Sequence, residues 1–262
     1  MSSEPESWVG ARAGVVPLAR AHSHLDCDRG RPLEDALSHG FTSIEADIWL
    51  IDGVLSVAHD RDAVREGYTL EQLYLGPLRR RLTATGANYP GTTQSLQLMV
   101  DIKSDPSQTY LALHDLLHAH ADILTSYAGD TVRRGPVEVV VSGKRPFDVM
   151  RAQPVRYTGY DGRLDDLGRG LPATFMPLVS TDWRKQFLWR GIGPMPFWER
   201  RRLRKMVARA HAEGYRFRFW GTRDRPGRAR TRLWTALVDA GVDHLNTDDL
   251  PGLEEFLRAR PG

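Results

Sequence analysis

The chain has a single cysteine, Cys27, in 262 residues, so no disulfide can close within it. Cys27 reads as a small buried side chain rather than a nucleophile, and a reducing cytoplasm is the expected compartment. Long apolar runs are also missing. None approaches the roughly 20 residues that a membrane-spanning helix needs, and peripheral membrane contact stays open. The opening stretch "MSSEPESWVGARAG" lacks the basic start and apolar middle of a secretion signal. Residues 1–14 are expected to be a flexible N-terminus. Strong charge of one sign is absent too. The formal balance is +3, too little to mark a nucleic-acid-binding protein. The densest basic run, "ERRRLRKMVARAH" at residues 199–211, carries Leu203, Met206, Val207 and Ala210 at helical spacing. It reads as an amphipathic helix with a solvated face, and no nucleic-acid partner is expected.

What the chain does contain is a repeated grammar. "LEDALSHGFTSIEADI" is an amphipathic helix, a glycine stop and then a strand; "LRKMVARAHAEGYRFRFW" and "RLWTALVDAGVDHLNTDD" repeat the plan. Glycine just past a last helical turn accepts the left-handed conformation that ends the helix. Strands alternating with helices predict a parallel sheet with helices outside it. Further strand candidates are "GVVPLARAH", "SLQLMVDIK", "VEVVVSG", "VRYTGY" and "ATFMPLVS". With residues 43–60 taken as one hairpin, the count is about eight, that of a closed α/β barrel. No glycine-rich phosphate loop follows the first strand, which argues against an open doubly wound sheet. The expected fold is a TIM-type (β/α)8 barrel, a single domain over residues 15–260.

"SIEADIWLIDGVLSVAHD" is the stretch richest in chemistry. Alternation sends Ile44, Ala46, Ile48 and Leu50 outward to the helices and Ser43, Glu45, Asp47 and Trp49 inward. Asp52-Gly53 is a two-residue turn signal, and the returning strand ends on His59. Two buried carboxylates on one strand repel each other and lose hydration. A divalent cation with oxygen ligands would compensate, and so would salt bridges to arginines. "LARAHSHLDCDRG" places His22, His24 and Asp26 at one parity if the strand extends that far. "SLQLMVDIKS" adds Asp101 and Lys103 on a shared face, where they could also pair with each other.

The succession "AHSH", "SIEADIWLIDGVLSVAHD", "VDIKS", "FRFWGTRD" and "GVDHLNTDDL" resembles the glycerophosphodiester phosphodiesterase and phosphatidylinositol-phospholipase-C-like barrel superfamily. Within it, the closer likeness is to the subgroup related to altered inheritance of mitochondria protein 6. The resemblance implies that Glu45, Asp47 and Asp101 hold one divalent metal, Mg²⁺ or Ca²⁺. It implies that His59 is one of two catalytic histidines. The other is His22, which stands at the histidine of the superfamily's A-H-R-G motif, or His24, whose spacing to Glu45 matches shorter-looped relatives. Lys103 would contact the substrate phosphate and Trp220 would wall the site. The arginine of A-H-R-G is Ser23 here, and the subgroup's H-S-H-N-D-Y reads "HSHLDC".

The implied activity is metal-dependent cleavage of a phosphodiester, either a glycerophosphodiester or a phospholipid headgroup, by histidine acid–base catalysis. Two other readings stand beside it. "HSHLD" also resembles the H-x-H motif of metal-dependent phosphatase and amidohydrolase barrels. The loss of arginine at Ser23 would suit a barrel that binds a phosphorylated ligand without cleaving it. "FLWRGIGPMPFW" at residues 187–198 is apolar and aromatic, as in a lid, a lipid-facing loop or a packed cap.

Overall fold

The computed structural model describes residues 14–129 and 131–260. Residues 1–13, most of the segment expected to be flexible, lie outside the described residues. Eight strands run parallel: β1 (Leu18–Ser23), β2 (Phe41–Ile51), β3 (Leu96–Ile102), β4 (Val137–Gly143), β5 (Thr158–Gly162), β6 (Leu178–Asp182), β7 (Arg216–Trp220) and β8 (His244–Thr247). Each pairs with its neighbour, and β1 pairs with both β2 and β8, which closes the barrel. Closure leaves the ring without an open edge.

The helices connect the strands around the outside. They are α1 (Glu34–Ser38), α2 (Gly76–Thr85), α3 (Pro106–His118), α4 (Phe147–Ala152), α5 (Trp183–Gln186), α6 (Phe197–Ala212), α7 (Arg228–Asp239) and α8 (Leu250–Arg258). Between β5 and β6 the connection contains only a single 3-10 turn, Leu164–Asp166. The outer core follows the expected alternation. Ile44, Ala46 and Ile48 are fully buried in one cluster with Leu37, Leu98, Leu113 and Val139, each aliphatic side chain contributing about 1.5–3 kcal/mol by leaving water. On α6, Leu203, Val207 and Ala210 are buried, and Met206 packs partly buried against the same core.

Inside the ring the chemistry differs. Met99, Val140 and Leu178 form a small apolar cluster of their own. Around it the inward positions are polar and buried: His22, Ser43, Glu45, Gln97, Ser180 and Arg218. Branched aliphatics usually fill such barrels, so this interior gives up hydrophobic burial for hydrogen-bonded polar groups.

Two expected strands have different limits. "VRYTGY" divides, because Val155–Arg156 pairs antiparallel with Ser126–Ala128 in a small outer sheet and the barrel strand begins only at Thr158. The first strand stops at Ser23, since Leu25 turns the chain through a left-handed φ of 46°. His24 and Asp26 therefore leave the strand's parity. The hairpin turn is as read, with Val54–Val57 pairing antiparallel with β2 through Asp52 and Gly53 at φ 48° and 80°, but the returning strand ends at Val57, two residues before His59.

Candidate active site

The C-terminal ends of the strands surround a cavity of about 710 Å³, lined by residues that include His24, Glu45, His59, Asp101, Lys103 and Trp220. Parallel β2 and β3 are in register with Asp47 opposite Asp101, and Glu45 lies one inward step below. Ligand atoms of Glu45, Asp47 and Asp101 all come within 4.8 Å of one another. Gly143 makes room for this group. A Cβ there would sit 2.1 Å from Asp101 Oδ1, and its φ of +67° already disfavours a side chain.

Two cations enter the cluster. Lys103 Nζ lies 3.1 Å from Asp47 Oδ1 and 3.3 Å from Asp101 Oδ1, and Arg218 Nη1 lies 2.6 Å from Glu45 Oε2. They do not balance the three carboxylates. Burial, and then the charge of Glu45, push Asp101 up to about 6 and also raise Asp47. Burial would raise Glu45 as well, but Arg218 and His22 more than offset it and hold its carboxyl well below the usual range. Asp47 Oδ1 is buried with a cation near it but no hydrogen bond in good geometry. Unbalanced negative charge and an orphaned carboxylate oxygen fit an oxygen-ligated divalent cation. Among the described residues no grouping of three ligands includes a histidine, as the amidohydrolase-like reading would need. Its later histidines are elsewhere: His211 pairs with Asp243 on the outside of α6, and His244 is buried within the barrel.

The three candidate histidines separate by environment. His59 Nδ1 lies 3.1 Å from Asp47 Oδ2, with the side chain 42% exposed. His24 Nδ1 lies 2.8 Å from Asp248 Oδ1. Both rings line the cavity and have Nε2 left over for a ligand. Burial alone would lower His24, but the Asp248 hydrogen bond and the Glu45 charge raise it. His22 is fully buried beneath them, with Nδ1 2.7 Å from Ser43 Oγ. Its Nε2 lies 3.0 Å from Glu45 and also against Arg218. Burial and Arg218 lower this ring to about 4, and it is neutral. Cys27 is buried against Asp47, and burial raises its thiol far from the thiolate.

Several cavity-lining groups escaped the sequence reading. Arg218 is 3% exposed, and the alternation that turns Trp220 inward turns Arg218 inward as well. Lys144, Arg163 and Arg184 also line the cavity; they carry no pattern that separates them from surface residues. Arg163 is held by Asp161 at 2.7 Å, and Asp161 accepts from Ser142 Oγ at 2.7 Å. Ser23, at the place of the missing arginine, donates to Asp26, which also receives Leu33 N and the Tyr74 hydroxyl. Asp26 is thus a fastener for the loop after β1.

Comparison with known proteins fits this geometry. Residues 10–161 match the AIM6-like phosphodiesterase domain. The chain belongs to that family. Residues 216–251 match the glycerophosphoryl diester phosphodiesterase family. Altered inheritance of mitochondria protein 6 of Eremothecium gossypii is 33% identical, over 96% of this chain and 73% of the relative. The Arthroderma benhamiae homolog is 31% identical, over 90% of this chain and 83% of its own. A glycerophosphoryl diester phosphodiesterase from Parabacteroides distasonis superposes with a TM-score of 0.56 at 14% identity, covering 95% of this chain and 89% of that one. That likeness extends to the barrel fold.

Proposed function

We propose that this AIM6-like barrel is a metal-dependent phosphodiesterase acting on a glycerophosphodiester or a phospholipid headgroup. One observation carries the reading: two imidazoles, each fixed through Nδ1 by a carboxylate, flank a three-carboxylate cluster in a cavity lined by five cationic side chains. Glu45, Asp47 and Asp101 would hold Mg²⁺ or Ca²⁺, which supplies charge neutralisation at a phosphoryl oxygen when bound. Lys103, Lys144, Arg163 and Arg184 would draw in and orient the phosphodiester anion. His59 takes the proton of the attacking oxygen. His24, whose pKa the Asp248 hydrogen bond helps to raise, donates to the leaving alkoxide. His22 is a positioning residue that fixes Glu45 and Arg218. Trp49 and Trp220 wall the cavity. The arginines from later strands supply the charge that Ser23 lacks, which weakens the case for a barrel that binds without cleaving.

The test is turnover of bis(p-nitrophenyl) phosphate and glycerophosphocholine. His59→Ala and His24→Ala are each expected to lose on the order of 10²–10⁴-fold in kcat with an unchanged melting curve. Chelation should abolish turnover, and Mg²⁺ or Ca²⁺ should restore it. Full activity in His59→Ala, or in the presence of chelator, would overturn the assignment.

A further inference from the structure

Among the described residues large apolar side chains are exposed at few places, and half of those places fall within residues 188–198. Among the described residues Leu188, Ile192, Phe197 and Trp198 are 72% to 87% exposed. The other exposed large hydrophobics, Val16, Val54, Leu111 and Val155, are spread along the chain, and none is aromatic. The clustered residues stand on a firm base. Leu188 N and Trp189 N donate to the Glu199 carboxylate at 2.9 and 3.1 Å. Trp183 Nε1 donates to the Trp189 carbonyl at 2.9 Å, and the Trp189 indole returns to the carbonyl of Ile192 at 3.1 Å. These bonds hold the segment as a platform whose apolar side chains point into solvent. A closing lid would have to break them.

The unpaired charge beside the platform is positive. Residues 189–195 and helices α6 and α7 enclose a cleft of about 440 Å³, lined by Arg200, Arg204 and Arg232 beside Trp189, Pro194 and Met195. None of these arginines forms an ion pair among the described residues. Asp239, the one acid in the cleft, is paired with Arg260 at 3.3 Å. Arg201 and Lys205 are exposed on the same helix. The platform also adjoins the reaction site, since α5 follows β6 directly and its Arg184 lines the barrel cavity.

Exposed aromatic and aliphatic side chains beside open guanidinium groups match the two layers of an anionic bilayer surface, acyl chains below and phosphate headgroups above. A soluble anion would leave the apolar residues in water. We propose that Leu188, Ile192, Phe197 and Trp198, with Arg200, Arg204 and Arg232, dock this protein on an anionic phospholipid bilayer, one headgroup phosphate occupying the cleft. The proposal rests on this face alone and not on the reaction assigned to the cavity.

The experiment is vesicle co-sedimentation of the full chain, with phosphatidylcholine alone and with added phosphatidylglycerol. Binding is expected to be at least about tenfold tighter with phosphatidylglycerol and to weaken with salt. Phe197→Ser with Trp198→Ser should weaken it roughly tenfold or more. Arg200→Glu with Arg204→Glu should erase the preference for phosphatidylglycerol. All four substituted residues are exposed, so melting curves should not move. Quenching of indole fluorescence by brominated lipid should fall in Trp198→Phe. Wild-type protein left in the supernatant with both vesicle types would overturn the proposal, as would variants that bind like wild type. Displacement by inorganic phosphate with no effect of the apolar substitutions would assign the cleft to a soluble anion, which also overturns it. Turnover of soluble glycerophosphocholine tests the barrel cavity separately, so the two failures are distinguishable.

Discussion

Strands β1 to β3 and strands β4 to β7 face one cavity but supply it with different chemistry. The first group, with its hairpin and flanking loops, brings Glu45, Asp47, Asp101, His24 and His59. The second group and its loops bring Lys144, Arg163, Arg184, Arg218 and Trp220. Lys103 is the one cation of the cavity that comes from the first group. On the proposed function, the acids and imidazoles would hold the metal and move protons, whereas the guanidinium and ammonium groups opposite would attract and hold an anion. Substitutions in the two groups should therefore have different kinetic signatures. Asp101→Asn is expected to lower kcat on the order of a thousandfold, the scale of charge stabilisation at a transition state. Lys144→Ala should leave kcat in place and raise KM by about tenfold. Steady-state kinetics on one soluble diester measures both, and equal losses of kcat in the two variants would dissolve the distinction.

Arg218 crosses the divide, because it comes from β7 yet is buried against Glu45 and His22. It should behave as part of the structure as well as of the site. Arg218→Met leaves a buried carboxylate without its cation, which costs about 3–5 kcal/mol of folding stability. Urea denaturation measures the loss. Adding Glu45→Gln to Arg218→Met should recover part of it, because the uncompensated charge is then gone. If the double variant loses the sum of the two single variants, pairing is not what Arg218 contributes to stability.

The same divide governs how much could be read before the structure. Carboxylates at Glu45, Asp47 and Asp101 stand out because each interrupts a strand whose other face is uniformly apolar, and burial of such groups is rare without a reason. The barrel was legible in the same way, through helix, glycine and strand repeated along the chain. Cations give no comparable signal. With 36 lysines and arginines in the chain, any one of them is most simply a surface residue, and only the alternation of Arg216, Arg218 and Trp220 could have singled out Arg218. The histidines were ambiguous for a geometric reason. Spacing puts His22 and His24 at one parity, but the left-handed turn at Leu25 ends the strand and gives them different surroundings. Which ring reaches the cavity depends on that single backbone angle. Asp248, the partner of His24, is 224 residues away in sequence, beyond the reach of any local pattern.

That distant pairing yields the smallest expected effect. Glu45 on β2 helps to raise His24, but the larger cause, the Asp248 carboxylate, comes from the loop after β8, at 2.8 Å. A histidine acting as general acid works only in its protonated form, so a raised pKa extends activity toward higher pH. Asp248→Asn keeps a hydrogen-bond acceptor at the same place but removes the charge, and the pKa of His24 should fall. The alkaline limb of the kcat/KM profile should then move to lower pH, while activity well below the usual histidine pKa is nearly unchanged. An alkaline limb that stays in place would mean that His24 is not the acid, and the role would pass to His59. A uniform loss at all pH values would instead show that Asp248 orients the ring without setting its proton affinity.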